Sequence, residues 1–550
     1  MVVSKHLRRL AVAAAFGVSI LAFGVRSLPV AAADTPVTGG SLTWGVETEP
    51  ATLNPHLNGQ DKTKLLLRNV FESLLARTAD GGYVPWLATG YKVSDDGRTY
   101  TFTLRDDVTF SDGQTLDAAA VVTTFTELKD PAYSGSASAG PVSHLVEARA
   151  VDARTVELTL KDTYAPFLDF AAGLEILSPS AFASSAFASP KLKAGGPEVA
   201  GTGPFILDRY TKGQEIRFVR NPKYNWAPPT AAHRGPAYLD EVTYRFLPES
   251  SVRIGALSSG QVDLIEGIPG NDAAVFRDDP EFSYQKALNT GTPYSLFLNT
   301  TYGPTQDIRV RKALVAAIDV DAVLRSVYRG ERTRAWGITS PIDAQFYDAG
   351  IERSYGHDPK QANALLDEAG WTGRDAEGFR TKDGQRLSIE VVQAQATVRD
   401  QRDVLLQALQ AQARQQAGID LTIAYVDAGT YTDRRATGRF GSIANSNTPT
   451  DAIDIELHYL PIDQGGSINY SRAAAPELLA WLRQASATLD HKTRFDLYGR
   501  LQRFAIVEQA YALPLYEPED QVAAAAHVHG VGFRPFKQLP ESAYDIWVSR

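Results

Sequence analysis

Six aspartates fall within Ser94–Val122, SDDGRTYTFTLRDDVTFSDGQTLDAAAVV: Asp95, Asp96, Asp106, Asp107, Asp112 and Asp117. Converging carboxylates can exchange protons or hold a divalent cation, so their setting decides what they do. Arg98–Arg105 alternates, with Tyr100, Phe102 and Leu104 on one face and threonines on the other, the pattern of a half-buried strand. The DDG before it and the RDD after it read as turns, where Asp accepts local backbone hydrogen bonds and Gly takes positive φ. Val108–Phe110 is expected to pair back on that strand. SDG is another turn, and Asp117 is expected to cap the helix that follows. Each aspartate then has a structural task. A second carboxylate pair, Asp451 and Asp454 in DAID, has the residue types of a glycosidase site and supports an alternative reading as a secreted hydrolase. His527 and His529 in HVH would share one face of a strand, but a third metal ligand is not evident. His357 in HDP reads as a helix start. The sequence has no P-loop, dinucleotide glycine motif or GxSxG, and no cofactor or metal is expected.

The elements around these residues alternate between helix and strand, which predicts an α/β class. Strands are expected at Ser41–Gly45, at two segments within Gly201–Trp226 joined by a KGQ turn, and in Tyr238–Leu247. Thr63–Thr78 carries Leu66, Val70 and Leu74 at helical spacing and predicts a helix. Asp307–Gly330 reads as two helices with Asp319 at the junction and Asp321 as a cap for the second. His357–Trp371 is a helix with Pro359 near its start and Gly370 at its stop. Arg402–Val426 reads as helix, Gly418 stop and strand, and Ala475–Tyr516 as a helical pair ending in an extended segment.

The chain has 550 residues, too many for one compact domain. Residues 1–33 combine Lys5, Arg8 and Arg9, an apolar run Leu10–Val25 and Ala31–Ala33. That is the pattern of a secretory signal peptide cut before Asp34; the run is short for a bilayer span of about 20 residues. Cleavage removes four basic residues and no acidic ones, taking the formal net charge from −9 to −13, which disfavours nucleic acid or anionic membrane as partner. There is no cysteine, which excludes disulfides, thiolate metal sites and a lipid-modified N-terminus. A soluble periplasmic protein is expected, and not a lipoprotein. The one methionine is Met1, so the mature chain would contain no sulfur. Methionine is an easy core filler. Its absence points to synthesis under sulfur starvation, with protection from oxidation as the competing account.

Nine segments in order carry a family likeness: LNPHL, NVFESLL, the stretch from Gly81 to Val122, GTGPFIL with RNPKYNW, YLDEVTYRF, ALSSGQVDLI, LFLNTTYGPTQDIRVRKALVAAIDVDAVL, YGHDPKQANALLDEAGW and ALPLYEP. Together they resemble the extracytoplasmic solute-binding proteins of ABC importers, family 5, the group of dipeptide-, oligopeptide- and nickel-binding proteins. The resemblance implies a two-lobed periplasmic binding protein of class II, the Venus-flytrap type, with an extra domain inserted in the first lobe. Lobe one would comprise residues 34–76, 200–290 and 513–550, the inserted domain 77–199, and lobe two 291–512. It implies no covalent chemistry. A small-molecule or peptide ligand is captured between the lobes, and the monomer delivers it to an ABC permease and ATPase. A solute-binding sensor module is a further alternative.

Peptide-binding relatives pair the peptide's ammonium with an acid in lobe two, and the resemblance places Asn445 there, with Asn447 beside it. An amide cannot supply a charge-assisted pair. Asp451 lies nearby and is the substitute acid. The tryptophan usual before that acid is missing, with Ser442 and Ile443 in its place. Asp61, in the early loop NGQDKT, would contact ligand from lobe one, and Arg439 would meet an anionic ligand group.

Overall fold

The computed structural model describes residues 35–57, 66–78, 81–133, 136, 139–183, 199–270, 272–343, 345–447, 453–533 and 542–549. Three sheets organise them. A seven-stranded sheet takes strands from Ser41–Val46, Phe205–Thr211, Glu215–Arg220, Glu241–Phe246, Leu264–Glu266, Phe282–Leu288 and Glu519–Ala525. A five-stranded sheet takes Thr292–Leu298, Ser388–Ala394, Asp420–Val426, Ser442–Asn447 and Ala512–Tyr516. A four-stranded antiparallel sheet, built from Ala88–Val93, Thr99–Leu104, Leu145–Ala150 and Thr155–Leu160, lies in the chain between the first and second strands of the seven-stranded sheet. These are the two lobes and the inserted domain.

The cores follow from strand periodicity. Tyr100, Phe102 and Leu104 are buried as their alternation requires, and they join one continuous apolar core with Trp44, Phe218 and Tyr244 of the seven-stranded sheet. Lobe one and the inserted domain are thus fused by a shared core. Lobe two has two separate apolar clusters. One packs Tyr294, Leu296 and Leu298 against Leu405 and Leu409 of the helix Arg402–Ala417; the other packs Phe297, Val392 and Ile443 against Leu497 and Leu501 of the helix His491–Gln502.

Three of the opening aspartates serve turns and a cap. Asp96 accepts from the Arg98 backbone and from Ser94, Asp112 from the Gln114 backbone and Ser178, and Asp117 from the Ala120 backbone as the cap of the helix Ala118–Glu127. Asp106 and Asp107 pair with Arg154 and Arg105. Asp358 caps the helix Pro359–Glu368, so His357 does precede a helix start.

Three expectations need correction. Val108–Phe110 does not pair with Thr99–Leu104, whose neighbours are Ala88–Val93 and Thr155–Leu160; it makes a small hairpin with a bridge between Thr109 and Thr115. The cap of the helix Val320–Tyr328 is Asp319, whose carboxylate accepts from the Ala322 backbone, while Asp321 lies within the first turn. Over the described residues 66–78 the predicted helix gives way to short strands at Glu72–Ser73 and Leu75–Arg77. Tertiary contacts override the spacing there: the carbonyls of Asn69 and Val70 accept from Phe205 and Gly203, and the Glu72 carboxylate is drawn into the core by four donors described below.

Candidate solute-binding cleft

The chain passes between the two large sheets at 289–291 and 517–518. Strands Ser41–Val46, Glu241–Phe246, Leu264–Glu266 and Phe282–Leu288 run in one direction, so their carboxyl ends lie on the same edge of lobe one. In lobe two, Ser388–Ala394, Asp420–Val426 and Ser442–Asn447 are parallel and end together. Thr292 lies opposite Asn447, and Tyr294 opposite Tyr516, so both crossings leave from that same edge. The two carboxyl edges therefore face each other across the crossings, which are tied by the Asn289 backbone N–H donating to the Pro518 carbonyl at 2.8 Å. Ligands of α/β sheets bind in the crevice at strand carboxyl ends.

Asn445 and Asn447 stand on the lobe-two edge, on a strand whose last three residues are half-buried. The Asn445 Nδ2 donates to Tyr470 Oη at 3.2 Å, and Tyr431 Oη donates to Tyr470 Oη at 3.3 Å. The Arg435 guanidinium lies over both rings and donates to the Ser467 carbonyl. Ser446, between the two asparagines, accepts from Arg402 Nη2 at 2.9 Å. Arg402 is 1 % exposed. It also donates to Tyr516 Oη and the Thr397 carbonyl, and lies 4.2 Å over the Tyr294 ring. The Tyr294 hydroxyl donates to Gln393 Oε1 at 2.7 Å. Burial pushes the Tyr294 and Tyr431 phenols up, so both stay neutral donors. The edge thus offers amides, hydroxyls and aromatic faces, held by a buried cation that none of the described carboxylates pairs within 4 Å.

At the second crossing Glu517 is buried. Burial raises its pKa well above the carboxylate range, and the nearby Arg334 guanidinium acts in the opposite direction.

Arg439 is 62 % exposed and pairs with Asp433 at 3.2 Å. Asp61 and Asp451 lie outside the described residues, as does the side chain of Asp454. His527 meets Asp263, while His529 stacks on Trp547 and meets Ser549. Among the described residues no group of three or more His, Cys, Asp or Glu is placed to hold a metal. Sequence reasoning missed Tyr431, Tyr470, Arg402, Tyr294 and Gln393. They come from five separate segments, and only the sheet order brings them to one edge.

A model described as bacterial extracellular solute-binding proteins, family 5 Middle, matches residues 82–456. The chain belongs to this family. The nickel-binding periplasmic protein of Escherichia coli K12 is 32 % identical over 412 residues, covering 73 % of this chain and 74 % of that protein. The dipeptide-binding protein of the same organism is 26 % identical over 511 residues, covering 87 % and 89 %. Among solved structures, NikA of Brucella suis in complex with Fe(III)-EDTA superposes with a TM-score of 0.80 at 27 % identity, covering 93 % of this chain and all of that one. The family 5 relatives named here are binding proteins, and among the described residues no helix is long and apolar enough to cross a membrane.

Proposed function

We propose that this family 5 protein is the substrate-binding component of an ABC importer. It captures a short peptide or another small polar solute between its lobes and delivers it, as a monomer, to the permease and ATPase. The observation that carries the reading is the pair of facing carboxyl edges, with Asn445 and Asn447 on one of them. Relatives named for nickel, dipeptides and glutathione support a small polar cargo. We assign ligand contact to Asp61 in lobe one and to Asn445, Asn447, Asp451 and Arg439 in lobe two. The neutral Asn445, held by the Tyr470 hydroxyl, favours a ligand group that accepts or donates single hydrogen bonds over a bare ammonium. The inserted domain takes residues 77–199 and the lobes the residues expected from the sequence, except that 513–516, whose strand pairs in the five-stranded sheet, go with lobe two: 34–76, 200–290 and 517–550 form lobe one and 291–516 lobe two. Residues 1–33 act as a cleaved secretory signal, which puts the mature protein in the periplasm.

The missing sulfur supports a narrower reading: a sulfur-source solute, taken up by a protein made when sulfate is scarce. The test is native mass spectrometry of the mature protein purified from its own periplasm after growth on low sulfate. A released mass identified as a sulfur-bearing peptide or organosulfur compound is the expected result. A sulfur-free ligand, together with transcript levels that stay flat on sulfate withdrawal, removes the sulfur reading and leaves the transport reading in place. Catalytic turnover of the released compound would instead revive the hydrolase alternative.

A further inference from the structure

The inserted domain touches more than the lobe it is fused to. Tyr164 Oη donates to Glu456 Oε2 at 2.9 Å, in a buried position. Glu456 stands on the lobe-two helix Ile453–Tyr459, is 7 % exposed, and also accepts from Ser486 Oγ. The backbone N–H of Ala165 donates to the Ser486 carbonyl at 2.7 Å. Leu489 closes on Gly97, where a Cβ would lie 3.2 Å from Leu489 Cδ1, and Leu489 is 42 % exposed. Tyr164 is held ready on its own side, since its ring stacks on His144 at 4.0 Å and His144 meets Asp162 at 2.6 Å. Beside these contacts the domain and lobe two leave a cavity of about 540 Å³ between them, lined by Tyr83, Tyr91 and Tyr100 on one side and His491 and Arg494 on the other.

The two junctions of the inserted domain are unlike in kind. Towards lobe one it shares an apolar core and the strand pair Glu72–Ser73 with Glu175–Ile176, so the two move as one body. Towards lobe two its contacts include the directional ones above, set around a cavity. A packed core holds through a domain motion, whereas a few hydrogen bonds can break and reform. Any rotation about the crossings must separate Tyr164 from Glu456, because they ride on different bodies. We propose that the inserted domain is a latch: Tyr164, Ala165 and Gly97 engage Glu456, Ser486 and Leu489 when the lobes close, and set how long the closed state lasts. The latch rests on the capture reading above, since it needs lobes that open and close. It assigns the domain a positioning role in closure.

The test reads distance directly. The native chain has no cysteine, so Thr89→Cys in the inserted domain and Ala364→Cys in lobe two give a single pair of spin labels. Pulsed electron spin resonance on the ligand-free protein then reports the lobe separation. In the labelled parent we expect a short-distance and a long-distance population. Tyr164→Phe keeps the ring and its stack but removes the donor, and should lower the closed-to-open ratio about tenfold or more, since a hydrogen bond to a carboxylate is lost. Leu489→Ser alters an exposed side chain and should shift the same ratio in the same direction without depending on Tyr164. Thermal midpoints of both variants within a few degrees of the parent rule out unfolding as the cause. Distance distributions in both variants that superimpose on the parent's overturn the latch, as does a single distance in all three proteins. Because no ligand is used, failure to find a transported solute leaves this result intact.

Discussion

At the residue scale, Glu72 carries the most explicit chemistry among the buried groups. Its carboxylate accepts from Trp86 Nε1 and Tyr224 Oη on one oxygen, and from Thr202 Oγ1 and Trp226 Nε1 on the other. Burial pushes its pKa from the ordinary 4.5 up to about 8, while the four donors act in the opposite direction. The folded chain therefore holds this proton after the unfolded chain has released it, so stability falls as pH rises from about 4.5 towards 8. Two of the donors are indoles, which cannot accept, so both oxygens must. Glu72→Gln offers one acceptor where two are required and should lose about 1–3 kcal/mol. It should also lose the pH slope, because the amide does not titrate. Denaturant unfolding of parent and variant at about pH 5 and pH 8 checks both; equal slopes would show that Glu72 is not the source. This network was invisible in the sequence, which presents Glu72 as one of three polar residues in NVFESLL. Its donors lie up to 154 positions away. Asp96, Asp107 and Asp117 were legible because each has a partner two or three residues along the chain, whereas the Arg154 partner of Asp106 was not.

At the element scale, local signals served well where local contacts decide. Strand Thr99–Leu104, the caps Asp117 and Asp358, and the stop at Gly418, which adopts a φ of +65°, all follow from residues within one turn of where they act. Over the described residues 66–78 the predicted helix failed because glycines elsewhere press on it. A Cβ on Gly203 would lie 2.4 Å from the Asn69 carbonyl oxygen, and one on Gly201 would lie 2.1 Å from that of Val70. Those same carbonyls accept from the glycine-rich segment, which fixes residues 69–70 as a pairing edge. Gly203→Ala should therefore destabilise by about 1–3 kcal/mol or prevent folding. Gly90→Ala, in a strand with nothing within 4 Å of the new methyl, should stay within about 0.5 kcal/mol of the parent. Thermal unfolding of the two variants side by side separates steric exclusion from a general intolerance of alanine.

At the scale of the whole molecule, the sequence made the two lobes and the inserted domain legible through segments scattered along the entire chain. The candidate site was legible only as the strand carrying Asn445, because the hydroxyls and aromatic rings around it arrive from other strands and helices. Ligand selectivity belongs to this scale too. If Asn445 meets the solute, Asn445→Ala should weaken binding of the mass released from the native protein about tenfold, by titration calorimetry, with the unfolding midpoint unchanged. An unchanged affinity would move the contact to other residues of the edge. The paired crossings, finally, have a mechanical meaning. A single strap between two bodies lets them swing, twist and slide. Two straps lying side by side and stitched together, as Asn289 and Pro518 stitch these, leave one easy motion, like a sheet folded along a single crease. The molecule can then present its loading state to a receiving membrane complex as a single number, the angle of that fold.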